Sequence, residues 1–516
     1  MHDNNYLLVI MLRKIRLVIA AFFFVAVTLL FLDFTGMAHK WLAWTASIQF
    51  LPALLAVNVL VLLFLVALTL LLGRVYCSVI CPLGVMQDII AWFGGMGKKR
   101  RMRYSYSPER RWLRRSVLVA FVVMFLGGLG SWASIVAPYS SYGRIASNLF
   151  APVYRLGNNV LASVAERLDS YAFYETDVWM KSMPTFVVAV VSLVVLFVLA
   201  WRGGRTYCNT ICPVGTILGF LSRYSYFKIH IDETKCNKCG LCSKKCKASC
   251  IDGKHHLIDY SRCVMCMNCI DNCKHGAIHL VARKKDTDDN CATKHTDNHS
   301  TAKSAGVDET RRAFVTSSTV LAATLVVEAQ TKKVDGGLAV IEEKVAPKRS
   351  TRILPPGAFS MRHFSNHCTT CQLCVSACPN GVLRPSSDLR HFMLPEMSYE
   401  RGYCRPECTR CADVCPTNAI KPITREEKSS TRIGHAVWIK KNCLPVAKGV
   451  SCGNCARHCP SGAIQMVPID ANDEESIKIP VVNTERCIGC GACENLCPSR
   501  PFSAIYVEGH ERQSTF

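Results

Sequence analysis

Four stretches of the chain are almost free of polar residues: 17–32, 50–72, 117–136 and 183–201. A bilayer crossing takes ~20 apolar residues. The pattern therefore predicts four membrane helices, the first completed by its flanks. Past residue 222 the long apolar runs give way to short, cysteine-punctuated segments. A weaker apolar run, 313–327, follows a polar stretch at 283–312.

Basic residues set the expected orientation. Arg13, Lys14 and Arg16 precede the first run. Lys98, Lys99, Arg100, Arg101, Arg103, Arg110, Arg111, Arg114 and Arg115 separate the second from the third. Arg202 and Arg205 follow the fourth. In a four-crossing topology all three regions fall on one side, and loops rich in Lys and Arg stay cytoplasmic. Loops 33–49 and 137–182 then face outward. The expected location is a bacterial inner membrane, crossed several times. The formal charge of +23 is concentrated beside apolar runs, so it does not call for a nucleic acid. Membrane lipid is the partner it implies.

Thirty cysteines change the picture most. A chain of 516 residues is far too long for a disulfide-stapled secreted scaffold, so spacing decides. The run C-x₂-C-x₂-C-x₃-C occurs at Cys236, Cys239, Cys242 and Cys246, and again at Cys263, Cys266, Cys269 and Cys273. This is the bacterial ferredoxin run for [4Fe–4S] clusters, in which the fourth cysteine serves the other cluster. One cluster then takes Cys236, Cys239, Cys242 and Cys273. Its neighbour takes Cys263, Cys266, Cys269 and Cys246. Zinc also suits four thiolates, but two complete copies of the run favour iron–sulfur.

Sixteen more cysteines lie between 368 and 497 in four groups, each ending in Cys-Pro. The outer two have standard spacing, and the inner two both lengthen the first gap. That symmetry predicts nested pairing over two tandem ferredoxins. Cys368, Cys371 and Cys374 would join Cys497, and Cys487, Cys490 and Cys493 would join Cys378. Inside these, Cys404, Cys408 and Cys411 would join Cys459, and Cys443, Cys452 and Cys455 would join Cys415. Six clusters result. Of the remaining thiols, Cys291 reads as a bystander and Cys250 adjoins a ligand.

The last four cysteines sit in a repeated phrase. "GRVYCSVICPLG" starts at Gly73 and "GRTYCNTICPVG" at Gly204, each directly after an apolar run. Eight of the twelve positions are identical. One Cys pair cannot hold a cubane; two pairs can. Cys77, Cys81, Cys208 and Cys212 are therefore candidates for a seventh metal or redox site, against plain thiols or helix-end packing. Each phrase's Arg is expected among lipid headgroups. No histidine lies in the four runs and no C-x-x-C-H occurs, so neither bis-histidine nor c-type haem is expected.

"TRRAFVTSSTVLAATLVVEAQ" at 310–330 reads as a twin-arginine export signal without a clean cleavage site, hence an anchor and a possible fifth helix. The expected fold class is a membrane α-helical bundle with two α+β ferredoxin-like domains. The divisions are 1–222 (membrane), 223–282 (two-cluster ferredoxin, cytoplasmic), 283–310 (linker), 311–330 (twin-arginine segment), 331–362 (linker) and 363–516 (four-cluster domain, periplasmic).

On these residues the first ~280 positions resemble NapH-like membrane ferredoxins, a group with NosR-like and CcoG-like relatives. Residues ~310–510 resemble NapG-like exported ferredoxins. The resemblance implies a fusion of the two. It also implies quinol oxidation and delivery of electrons to a reductase or soluble carrier, a quinol dehydrogenase role. A maturation or regulatory protein for a metalloenzyme, and a ferredoxin–quinone oxidoreductase, are the alternatives. No ionisable residue falls mid-run, so the sequence places no quinol site.

Overall fold

The computed structural model describes residues 2–95, 104–170, 172–282, 344–470 and 472–516. The 283–310 linker, residues 331–343 of the 331–362 linker, Cys291 and the twin-arginine segment lie outside the described residues.

The first apolar run extends into one long helix, α1 (His2–Leu32). The fourth forms α7 (Met183–Gly203), with Pro184 in the first turn, where its missing N–H costs nothing. Both are long and apolar enough to cross a membrane. The other two expected crossings are interrupted. Run 50–72 splits into α2 (Phe50–Leu55) and α3 (Val59–Leu72). Val57 takes a left-handed φ of 53° at the break, and the Asn58 side chain accepts from Val61 N, capping the new helix. Run 117–136 supplies α5 (Arg111–Leu126), which stops at Gly127 and Gly128.

Two further helices fill the space between. The first repeated phrase leads into α4 (Pro82–Phe93), and α6 (Pro138–Ile145) is buried along its whole length. α4 packs on α1, α6 and α7. The core is continuous, from Val27 and Leu30 through Tyr142 and Leu83 into both cysteine-rich units.

Those two units sit at opposite ends of α1. At the lower end Arg13 pairs with Asp271 of the 223–282 unit. There β1 (Phe227–Ile231) pairs antiparallel with β2 (Ile278–Ala282). At the upper end Phe31 meets Gly143, whose Cα faces the carbonyl of Cys371 in the second unit. Eighteen residues of helix separate the two contacts, a rise of about 27 Å at 1.5 Å each. That matches the ~30 Å hydrocarbon core of a bilayer. α5 and α7 bridge the same gap. Arg114 at the start of α5 donates to Ser261 below, and Trp132, just beyond its end, donates to Leu389 O above. Lys181, ahead of α7, donates to Val375 O above at 2.7 Å; Arg205 N, just after it, donates to Lys247 O below at 2.9 Å. In the upper unit β3 (Thr431–Trp438) pairs with β4 (Ile505–Thr515).

Candidate metal centres

Each tight C-x₂-C-x₂-C loop turns through left-handed residues between its cysteines: Lys238 and Gly240, Met265 and Met267, Thr370 and Gln372, Gly489 and Gly491. These turns point three successive thiols to one side. Cys263, Cys266 and Cys269 come within electrostatic reach of Cys246. Cys236, Cys239 and Cys242 likewise form one set.

In the upper unit the nested pairing is corrected. Cys368, Cys371 and Cys374 gather with Cys415, and Cys404, Cys408 and Cys411 gather with Cys378. Cys443, Cys452, Cys455 and Cys497 line one small cavity. Cys459, Cys487, Cys490 and Cys493 line another. The pairing is tandem. The physical reason is local: the short helices Leu373–Ala377 and Arg410–Asp413 pack together, as do Asn454–Arg457 and Ala492–Leu496. Each two-helix unit closes its own two sets. Cys404 N then donates to Cys490 O at 2.9 Å, joining the halves.

Every described cysteine is free of disulfide. Among the described residues, no three His, Cys, Asp or Glu side chains close tightly enough to hold one metal ion. Burial pushes the Cys371, Cys404 and Cys455 thiols up to about 11 and Cys490 to about 12. Metal must therefore displace protons to bind. Cys250 differs. Its Sγ lies 3.5 Å from Cys246 Sγ, and that hydrogen bond is the largest cause holding Cys246 down at about 6.

The two repeated phrases meet. Cys77, Cys81, Cys208 and Cys212 are all buried and all within reach of one another. Their arginines are exchanged, and this corrects the headgroup expectation. Arg74 and Arg205 are both 0 % exposed. Arg74 Nη2 donates to Cys208 O at 3.1 Å, and Arg205 Nη1 donates to Cys77 O at 2.6 Å. Each phrase thus holds the other's first cysteine. The final glycine shared by both copies of the phrase is explained by the same carbonyls: a methyl on Gly84 would stand 2.2 Å from Cys77 O, and one on Gly215 2.3 Å from Cys208 O. Gly73 and Gly204 take positive φ of 70° and 66° to turn each chain out of its helix. Pro82 and Pro213 open the following helices.

Charge around this set is positive. Among the described residues, Arg74 meets only neutral acceptors besides the Cys77 thiol: Asn209 Oδ1 and Ser261 O at 3.0 Å, and Cys208 O. Arg205 and Lys247 share Asp88. Asp88 is thus shared, and Arg74 stands beside the Cys77 thiol with no carboxylate partner among the described residues. A buried cation without a counter-ion is costly, and thiolates holding a cluster would supply the missing anion. Gln87 Nε2 donates to Cys208 Sγ at 3.2 Å and Gly215 N to Cys212 Sγ at 3.3 Å. Sequence reasoning missed Arg74, Arg205, Gln87, Asp88 and Lys247 as parts of this site. The repeated Gly-Arg and final Gly were the available signal.

The site also touches its neighbours on both sides. Asn209 Nδ2 donates to Ala248 O at 3.0 Å, two residues from Cys246. Upward, Tyr207 Oη donates to Val136 O, and the buried Arg144 donates to Ser134 O, Ile135 O and Thr370 Oγ1. Thr370 lies inside the Cys368–Cys371 loop.

Comparison with known proteins agrees with this layout. A family profile described as a 4Fe-4S binding domain matches 54–101 and 185–232, one copy of the repeated phrase in each. A 4Fe-4S dicluster domain profile matches 367–419 and 448–500, the tandem division. A further 4Fe-4S binding domain profile matches 256–279. The ferredoxin-type protein NapF of Escherichia coli is 32% identical over 143 residues, 28% of this chain and 77% of its own length. The chain belongs to the ferredoxin-type iron–sulfur proteins. Methylamine utilization ferredoxin-type protein MauM of Methylophilus methylotrophus is 33% identical over 160 residues, 30% of this chain and 69% of its own length. The putative electron transport protein YccM of Escherichia coli is 24% identical over 226 residues, 43% of this chain and 55% of its own length. The chain thus spans between about half and three quarters of these relatives. No solved structure matches. As a ferredoxin-type iron–sulfur protein, the chain is an electron-transfer protein.

Proposed function

We propose that this protein is embedded in the bacterial inner membrane and passes electrons from quinol to a redox partner, a reductase or soluble carrier, on the outer side. The four apolar segments cross the bilayer together, with the 223–282 unit in the cytoplasm and the 363–516 unit in the periplasm, as in a NapH–NapG fusion. The carrying observation is the end-to-end row of four-thiol sets. Read with Cys273 as the fourth ligand of the first set, it runs from Cys236–Cys273, through Cys246–Cys269 and the exchanged-arginine set of Cys77, Cys81, Cys208 and Cys212, into the four sets of the upper unit. The two cysteine-rich units also lie at opposite ends of α1, about a bilayer core apart by helix rise.

The residues fit seven [4Fe–4S] clusters, which supply one-electron exchange when bound. What the chain supplies is spacing, dryness and compensating charge. The bridging set keeps Arg74 and Arg205 beside it, so that charge added there is met by fixed positive charge. A second reading, ferredoxin–quinone oxidoreductase, is favoured by the unbroken contact from the lower unit to the bridging set through Asn209 and Ala248.

Two measurements test the reading. Iron per chain should approach ~28 atoms, four for each of seven sets. A short-chain naphthoquinol added to membranes holding the full chain should bleach the iron–sulfur absorbance. If it reduces nothing, the quinol reading fails.

A further inference from the structure

A cavity of about 680 Å³ opens where α7 meets the upper unit. Small-molecule sites commonly fall between ~300 and ~1,000 Å³. Its floor is Lys181, Ser182, Met183 and Pro184, and its walls include Asp388 and His391. Below the cavity, Met183, Val187, Val191 and Val195 are exposed along α7 at helical spacing. An apolar tail lying on that stripe would place its headgroup in the cavity.

The cavity adjoins two cysteine sets. Lys181 Nζ donates to Val375 O at 2.7 Å and lies within electrostatic reach of Cys374 and Cys378. Those two cysteines belong to different sets. The wall is polar, and three of its four arginines are matched by carboxylates. Arg352 is paired with Asp388 and Glu396, Arg384 with Glu400, and Arg349 with Glu494. His391 Nδ1 stands 3.6 Å from Asp388.

We infer that this cavity is the quinol-oxidation site, an inference that rests on the quinol reading above. The quinol headgroup sits in the cavity with its tail along α7. Both O–H bonds break as quinol becomes quinone. The two electrons pass one at a time to the oxidised [4Fe–4S] clusters that the two adjoining cysteine sets would hold, and those clusters are the oxidant. The two protons go successively to the Asp388–His391 pair and on to outer water. A phospholipid headgroup would draw on free cations and would have no use for a neighbouring redox centre; here three of the four wall arginines are already paired.

The test uses the full, iron-loaded chain in membranes. Stopped-flow bleaching by a short-chain naphthoquinol is compared for wild type, His391→Gln and the cavity-filling Ser387→Trp, with dithionite bleaching giving each variant's intact cluster content. Both variants should be reduced by quinol at least about tenfold more slowly, since a positioned general base is worth that or more, with dithionite amplitude unchanged. Wild-type rates in both variants, at full dithionite amplitude, overturn the site while leaving the quinol reading intact. Failure of wild type itself to be reduced overturns both. A tightly held anionic phospholipid that added quinone does not displace also overturns the site.

Discussion

Replacing Arg74 with Gln should lower the midpoint potential of the bridging site without emptying it. In the structure this guanidinium is fully buried, has no carboxylate partner among the described residues and approaches Cys77 Sγ at 3.8 Å. Unit charges ~4 Å apart interact by ~4 kcal/mol at an effective dielectric of 20. An electron added to the site spreads over the whole group, so about half of that, ~2 kcal/mol, is the expected loss per electron. With ~1.4 kcal/mol corresponding to 59 mV for one electron, the shift is ~90 mV downward. Three neutral acceptors also lose a donor, but the buried cation's desolvation cost disappears with it, so the fold should survive. The assay is an EPR-monitored redox titration of the full chain, with iron content measured alongside. Arg74→Lys should recover part of the shift. A potential within ~20 mV of wild type, at unchanged iron, would refute the charge argument.

Other consequences follow from the same geometry. Gly84→Ala and Gly215→Ala should each push a cysteine carbonyl off its arginine, costing ~1–3 kcal/mol and removing up to four irons per chain, read by thermal melts and iron assay. Cys415→Ala should perturb the EPR signal lost in Cys371→Ala, not that lost in Cys452→Ala; the reverse would restore nested pairing. Burial, with stacked His435 and nearby Arg432 adding to it, holds His510 below the usual histidine range. A base with a lowered folded pKa binds fewer protons folded than unfolded, so its contribution is present at neutral pH and fades as pH falls below ~6.5. Melting temperature should drop across that window, and His510→Gln should flatten the drop.

Much of the chemistry was legible because it is local. A C-x₂-C-x₂-C loop commits three thiols to one side within seven residues, whatever surrounds it. Pairing between groups was not legible. The lengthened first gaps at Cys404 and Cys443 suggested a symmetry of sequence, whereas short helices in each half decide the partners. The apolar runs gave the helix positions, yet hydropathy alone hid the breaks at Asn58 and Gly127. A cap residue and a glycine pair were there to be weighed. The exchange of Arg74 and Arg205 depends on two phrases 131 positions apart meeting face to face, since 205 minus 74 is 131. Only the fold shows that.

The central claim is a row of thiol sets that carries electrons from one face of the bilayer to the other. It is tested by placing the iron-loaded chain in sealed vesicles with an impermeant oxidant trapped inside and an impermeant reductant added outside. The account predicts that the trapped oxidant is consumed, and that Cys208→Ala stops this while six sets remain reducible. Oxidant left untouched by the wild-type chain, or consumed as fast by Cys208→Ala, would contradict it.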